Sequence, residues 1–244
     1  MNIPKIFYVM NVEEIKEILG DKKDVALLQT IAALYPSEVV FSTSFGIEDQ
    51  IITEWIGKNN IDIEIFTLDT GRLFKETYSL WSRTLERYQL PIRTYTPDTA
   101  LLEEFISRKG PNSFYESVEN RKECCRIRKI EPLQRAIKGK KIWVTGIRAE
   151  QSANRHDMDF VEYDEINEII KIHPLFDWTF EEVKQYCREQ HIPYNVLHDK
   201  GFPSIGCQPC TRAVQEGEDF RAGRWWWEDQ SKKECGLHAV KSHE

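Results

Sequence analysis

The 244-residue chain contains no apolar run approaching the roughly 18 residues of a membrane span. Its first residues, MNIPKIFYVM, are apolar but short, and they carry neither the basic start nor the cleavage pattern of a secretory signal. Internal repeats, low-complexity tracts and Gly/Ser-rich linkers are missing as well, which excludes a repeat array or a string of loosely tethered modules. Positive charge is in short supply: the net charge of −7 argues against non-specific binding to nucleic acid. These absences describe a cytosolic protein with neither a membrane nor a nucleic-acid partner. Oligomeric state is left open, a homo-oligomer included. Cysteine is scarce, at six residues. In a reducing compartment, clustered cysteines more often bind metal or do chemistry than form structural disulfides.

What is present suffices for a real core, since 41% of the residues are hydrophobic. Residues 11–35 read as one helix, with Asn11 placed to cap it and Glu13 and Glu14 in its first turn. Strands are predicted at 38–44, within 61–68, at 91–95, 141–145 and 168–172; helices at 48–57, 73–89, 98–108, around 120–138 and at 179–190. Strands alternating with helices imply βαβ units and an α/β fold whose parallel sheet is flanked by helices on both faces. Ligands bind such sheets beyond the carboxyl ends of the strands. The polar motifs STSFGIED, LDTGR and TGIRAEQS fall in those places. Residues 1–205 are read as the α/β body and 206–244 as an irregular cysteine-rich extension of the same fold unit, folding over the sheet's ligand edge.

Four cysteines form two tight pairs, Cys124–Cys125 and Cys207–Cys210, with 81 residues between them. Adjacent side chains converge poorly on one tetrahedral zinc, whose closed sites favour ligands about two to four residues apart. A four-iron cubane offers separate corners, so the spacing favours an iron–sulfur cluster held by four thiolates. Zinc and free thiols stay open on spacing alone. Basic residues surround the first pair (Arg121, Lys122, Arg126, Arg128, Lys129), and Arg221 and Arg224 precede the last cysteine. That pattern suits a small anionic ligand; solvated helix faces are the bland alternative. Cys187 lies in a helical stretch and reads as a packed small hydrophobe. Cys235 is flanked by Lys232, Lys233 and His238, cations that favour the nucleophilic thiolate, although a cysteine near a chain end can be incidental. For Trp225, Trp226 and Trp227, packing ranks above stacking on a ligand.

The two cysteine pairs, with ECGLH near the end, resemble the cluster-bearing sulfonucleotide reductases of sulfate assimilation. The resemblance runs from STSFGIED through ECGLH and includes LDTGR, CCRIRK, WVTGIRAEQS, PYNVLHDKGFPSIGCQPCTR and GEDFRAGRWWWE. It implies an adenine nucleotide alpha-hydrolase-like, Rossmann-like fold. It also implies one 4Fe-4S cluster on Cys124, Cys125, Cys207 and Cys210, which tunes the site rather than carrying electrons. Cys235 would attack the sulfur of adenosine 5′-phosphosulfate and expel AMP, leaving a thiosulfonate. Thioredoxin or a similar dithiol would then release sulfite, a step toward cysteine biosynthesis. Ser44, Gly46, Glu48 and Asp49 match the family's phosphate loop, whose backbone N–H groups would cradle the phosphosulfate. Leu68, Thr70 and Arg72 would hold the adenosine. Lys129 would lie between cluster and substrate, while Arg148, Arg221 and Arg224 would pair with phosphate and sulfate oxygens. His238 would stand beside the thiol or the substrate.

A reductase for the 3′-phosphorylated nucleotide, or for both nucleotides, is the nearest rival. A tRNA-thiolating iron–sulfur enzyme is more remote: it needs an intact Ser-Gly-Gly-x-Asp-Ser loop and a basic RNA surface, whereas Phe45, Glu48 and Asp49 depart from that loop. A cluster- or zinc-bearing sensor would leave LDTGR, the arginines and ECGLH without a purpose.

Overall fold

The computed structural model describes residues 11–151 and 158–228. Six strands form one sheet: β1 Val39–Ser42, β2 Glu64–Leu68, β3 Ile92–Tyr95, β4 Ile142–Val144, β5 Val161–Asp164 and β6 Ile169–Ile172, in the order β3-β2-β1-β4-β6-β5. Every pairing is parallel except β5 with β6. The expected parallel sheet flanked by helices is thus present, with one antiparallel strand added at its edge. There β5, not predicted, turns back on β6 through Glu165–Glu168 as a hairpin, and a hairpin needs no crossover helix.

Side chains alternate across the sheet as a period of two requires. Val39, Phe41, Ile142 and Val144 pack with α1 (Val12–Leu19), α2 (Asp24–Leu34), α3 (Ile47–Lys58) and α8 (Phe180–Glu189). Val40, Phe66 and Trp143 point the other way, into a smaller core with α7 (Glu131–Ile137). The single helix expected over 11–35 is two. A reciprocal capping box between Asn11 and Glu14 starts α1. Gly20, at φ +50°, ends it and donates its N–H to the Lys16 carbonyl, and the polar run Asp21-Lys22-Lys23 bridges to α2.

The chain adds β2 and β3 on one side of β1, then crosses to place β4 on the other, so the strand order reverses between β1 and β4. Such a switch point opens a crevice beyond the strand ends. Helices α4 (Lys75–Tyr88), α5 (Thr99–Lys109) and α6 (Val118–Cys125) follow β2 and β3. One π-helical segment, Arg126–Ile130, joins α6 to α7. No helix among the described residues is long and apolar enough to cross a membrane.

Candidate active site

A cavity of about 250 Å³ lies at the switch point. The turn after β1 supplies Ser44, Gly46, Glu48 and Asp49; the end of β2 supplies Leu68 and Thr70; the turn after β4 supplies Thr145, Gly146 and Ile147. Lys129 enters from the π-helical segment, Ser204 from the end of the α/β body, and Cys207, Phe220, Arg221 and Arg224 from the C-terminal extension. Nine of the residues read from the sequence as substrate-binding thus share one cavity: Ser44, Gly46, Glu48, Asp49, Leu68, Thr70, Lys129, Arg221 and Arg224. Cys235 and His238 lie outside the described residues.

The loop after β1 differs from the expected anion cradle. Ser44 N–H (2.7 Å), Ser44 Oγ (2.8 Å) and Gly46 N–H (3.4 Å) all donate to Asp49 Oδ2, and Phe45 N–H donates to Thr43 Oγ1 (3.1 Å). The Ser44 and Gly46 amides are thus occupied by an internal carboxylate, at the N-terminus of α3 where its charge is favoured. Burial nonetheless pushes the Asp49 pKa up to about 6, against the hydrogen bonds from Ser44 and Gly46 that lower it. Phe45 adopts φ +59°, unusual for a bulky residue, with its ring stacked on Trp81 at 5.3 Å between centroids. Directly against this loop Gly146 has no room for a side chain: a Cβ there would lie 2.3 Å from Asp49 Oδ1.

Two arginines expected to face the ligand, Arg148 and Arg72, lie off the cavity lining. Arg148 is fully buried behind the cavity wall and absent from its lining. Its Nε donates to Glu48 Oε1 (2.8 Å) and its Nη1 to Glu150 Oε2 (2.7 Å) and to the Trp178 carbonyl (3.2 Å), while Gln151 Nε2 also donates to Glu48 Oε1 (3.0 Å). It therefore fixes Glu48, which does line the cavity. Arg72 leaves the cavity too, donating to Pro111 O and Asn112 Oδ1 with its guanidinium 5.2 Å from the Phe114 ring centroid. Gly71, at φ +68°, turns the chain that way.

Arg72 borders a second pocket, lined by Cys124, Cys125, Cys207 and Cys210 together with Phe114, Arg121, Arg128, Lys129, Arg224 and Trp225. Two segments far apart in sequence meet here. Gln208 N–H donates to the Arg72 carbonyl (2.8 Å), Tyr115 Oη to the Pro209 carbonyl (2.7 Å) and Trp225 N–H to the Cys210 carbonyl (3.1 Å). The Trp225 ring lies 4.8 Å from the guanidinium carbons of both Arg121 and Arg224. Arg121, fully buried, also forks onto Glu228 at 3.0 and 2.8 Å. Arg128 Nη1 donates to the Thr70 carbonyl (2.6 Å), and the Cys207 thiol reaches Thr70 Oγ1 (3.3 Å). Gly206 lets Arg224 approach, since a Cβ there would sit 2.2 Å from its Nη2.

Burial and the neighbouring Cys207 push the Cys210 thiol up to about 12, and burial raises Cys124 despite Arg128 beside it. Cys187 sits apart in the main core, where burial pushes its thiol up to about 12 and leaves it inert. Among the described residues, no three His, Cys, Asp or Glu side chains are grouped to hold a single metal ion.

Sequence reading missed Thr145, Gln151 and His198, which also line the cavity. Thr145 and Gln151 stand inside TGIRAEQS and His198 inside PYNVLHDKGFPSIGC, so the motifs held the signal although the individual side chains were not singled out. Behind Thr145 runs a buried polar chain: Thr145 Oγ1 to His173 Nδ1 at 2.7 Å, His173 Nε2 to Glu162 at 3.5 Å, and Glu162 to Lys171 at 2.6 Å.

Residues 38–213 match the phosphoadenosine phosphosulfate reductase domain. The chain is 50% identical over 215 residues to an adenosine 5′-phosphosulfate reductase of Rhizobium meliloti, covering 88% of this chain and 81% of that one. It is 45% identical over 238 residues to the adenosine 5′-phosphosulfate reductase of Neisseria meningitidis serogroup A, covering 96% and 98%. Among solved structures, the phosphoadenylyl-sulfate reductase of Candida auris in its phosphate complex superposes with a TM-score of 0.71 at 30% identity, covering 83% of this chain and 96% of that one. The FMN adenylyltransferase of Candida glabrata (TM-score 0.52, 16% identity, 91% and 76% covered) shares the fold alone.

Proposed function

The chain belongs to the phosphoadenosine phosphosulfate reductase domain family, and from that premise we propose that it reduces adenosine 5′-phosphosulfate to sulfite and AMP in cytoplasmic sulfate assimilation. One observation carries this reading: the nucleotide-sized cavity and the four-cysteine pocket share a wall made of Lys129, Cys207 and Arg224. A phosphosulfate in the cavity would meet those two cations and Arg221. Guanidinium groups there can each hold two anionic oxygens and stabilise charge as it develops.

In the proposed chemistry, the thiolate of Cys235 attacks the sulfate sulfur. The bond from that sulfur to the phosphate-bridging oxygen breaks, and AMP departs with the electron pair. The enzyme is left with a Cys235 thiosulfonate. A thiolate of thioredoxin or a similar dithiol then attacks the Cys235 sulfur and expels sulfite; its second thiol resolves the mixed disulfide and frees Cys235. The dithiol supplies both electrons. Ser44, Gly46, Glu48, Asp49, Leu68 and Thr70 shape the cavity around the nucleotide, while Arg148 and Arg72 act as positioning residues. His238 serves beside Cys235.

The cysteine pocket fits a 4Fe-4S cluster held by Cys124, Cys125, Cys207 and Cys210. Four converging thiols, an apolar wall of Phe114 and Trp225, and the surrounding arginines suit an anionic inorganic centre. The adjacent Cys124–Cys125 pair favours a centre with separate iron corners over one tetrahedral zinc. When bound, the cluster would supply electrostatic tuning of the anion site. The Candida auris relative is named for the 3′-phosphorylated nucleotide, but the relatives near 50% identity are named for adenosine 5′-phosphosulfate, which supports the unphosphorylated substrate. Sulfite release with thioredoxin should be faster by at least about tenfold in kcat/KM, some 1.4 kcal/mol in transition-state binding, for adenosine 5′-phosphosulfate than for its 3′-phosphate. Equal or reversed preference would overturn the substrate assignment.

A further inference from the structure

Glu48 stands in the first turn of α3, and its two carboxylate oxygens have different surroundings. One is committed to the protein: Oε1 accepts from Arg148 Nε (2.8 Å) and from Gln151 Nε2 (3.0 Å). Arg148 is itself braced by Glu150 and the Trp178 carbonyl, and its guanidinium lies 5.5 and 5.8 Å from the Phe180 and Phe220 ring centroids. A side chain held in this way has little rotamer freedom left to lose when a ligand arrives.

The other oxygen is open. Oε2 accepts no hydrogen bond from the described residues, and it is not one of the unpartnered atoms that the fold shuts off from solvent. The Glu48 side chain keeps 9% of its surface exposed, whereas Arg148 behind it keeps none. That exposed part opens on the cavity, which Glu48 lines. Oε2 turns toward Gly46, another lining residue, where a Cβ would sit 3.6 Å from it.

A carboxylate oxygen carries lone pairs and has no proton to give. Oε2 therefore lacks a donor, and a ligand in the cavity has to bring one. The oxygens of a phosphosulfate cannot: they are acceptors themselves and of like charge. Asp49 adds a second carboxylate beside Glu48, and Glu48 is the leading charge acting on it. The loop wall is thus a negative pole, while Lys129 and Arg224 make the wall shared with the cysteine pocket a positive one. A nucleotide is anionic at one end and carries O–H and N–H donors at the other, so the two walls accept it in one orientation only.

We propose that Glu48 is a substrate-binding residue whose Oε2 accepts a hydrogen bond from the nucleoside part of the nucleotide, either a ribose hydroxyl or the amino group of the base. In doing so it sets which way round the nucleotide lies, and it takes no part in holding the phosphosulfate. The proposal rests on the adenylyl-sulfate reading. Hydroxyl and amine offer the same donor chemistry, and ligand analogues separate them.

The test is calorimetric titration of the full-length, cluster-loaded protein with AMP, 2′-deoxy-AMP, 3′-deoxy-AMP and purine riboside 5′-monophosphate, each analogue lacking one donor. At least one analogue should bind the wild-type protein about tenfold more weakly than AMP, the value of a hydrogen bond to a charged acceptor. Glu48→Gln can still offer its carbonyl oxygen to Arg148 and Gln151, but it leaves an amide N–H where Oε2 stood. In that variant AMP should weaken, and the penalised analogue should bind as well as AMP. Glu48→Asp keeps the charge but draws the oxygen back; it should shrink the penalty, and it stands in if the glutamine variant does not fold. Equal binding of AMP and all three analogues by the wild-type protein would overturn the proposal. So would a penalty of unchanged size in the variants, because a merely structural role weakens every ligand alike. A wild-type protein that binds no AMP would instead overturn the function proposed above.

Discussion

The nucleotide cavity and the cysteine pocket share a wall, yet they are built from opposite materials. Around the cavity, polar groups are tied to each other: Asp49 takes up the loop donors and Arg148 braces Glu48. Around the cysteines, arginines lie over aromatic rings, and the thiols are packed so closely that burial raises two of them. The first region is preorganised by its own hydrogen bonds. The second is an electropositive, half-apolar shell that makes physical sense around an anionic centre. On the proposed function the comparison teaches a division of labour: one region would set where the nucleotide lies, the other would set the charge it feels, and the three shared residues would couple them.

Five substitutions break or sharpen that division, from the largest effect to the smallest. Cys235→Ser should abolish sulfite release while iron content stays near four per chain, because only the nucleophile is lost; iron assay beside turnover checks it. Cys207→Ala removes a residue common to both regions and should strip the protein of iron and of its brown colour when purified anaerobically, whereas Cys187→Ala should leave both unchanged. Arg148→Ala leaves the Glu48 carboxylate uncompensated in a buried site and should cost about 3–5 kcal/mol of stability, read from the denaturant midpoint, without loss of iron.

The smallest effect concerns the polar chain behind Thr145. Hydrogen bonds from His173 and Lys171, together with the charge of Lys171, hold the Glu162 pKa down to about 2 from 4.5 in spite of burial. A depressed carboxylate contributes stability that is present above its unfolded pKa and lost as the pH falls toward the folded one. Stability should therefore drop as the pH is lowered from about 4.5 to about 2, and Glu162→Gln should flatten that part of the profile in thermal melts. An unaltered profile would mean that Glu162 is not held as described.

Much of the cavity was legible because strand ends carry their own signature. Short β-rich runs located β1 and β4 and alternating isoleucines located β2, and the polar motifs directly after them line the cavity. The cysteine pairs announced a common pocket although 81 residues separate them. What stayed hidden depended on distant partners. An arginine in TGIR reads as a ligand contact until Glu48, a hundred residues earlier, proves to be its partner. Strand β5 was hidden because Glu162 and Asp164 are polar for a reason that lies on β6, where Lys171 needs both of them. Helix α1 stops at a single glycine that a periodic pattern reads through. His198 stayed unmarked because its place in the cavity wall is set by the folded loop and leaves no trace in local sequence.

Mixing the cluster-loaded protein with adenosine 5′-phosphosulfate in the absence of any dithiol, followed by mass spectrometry of its peptides, probes the mechanism most directly. One sulfonate should appear on the peptide carrying Cys235, with one AMP released per chain, and added thioredoxin should remove it as sulfite. A label on Cys187 or on a cysteine of the pocket, or AMP release with no labelled peptide, would contradict it.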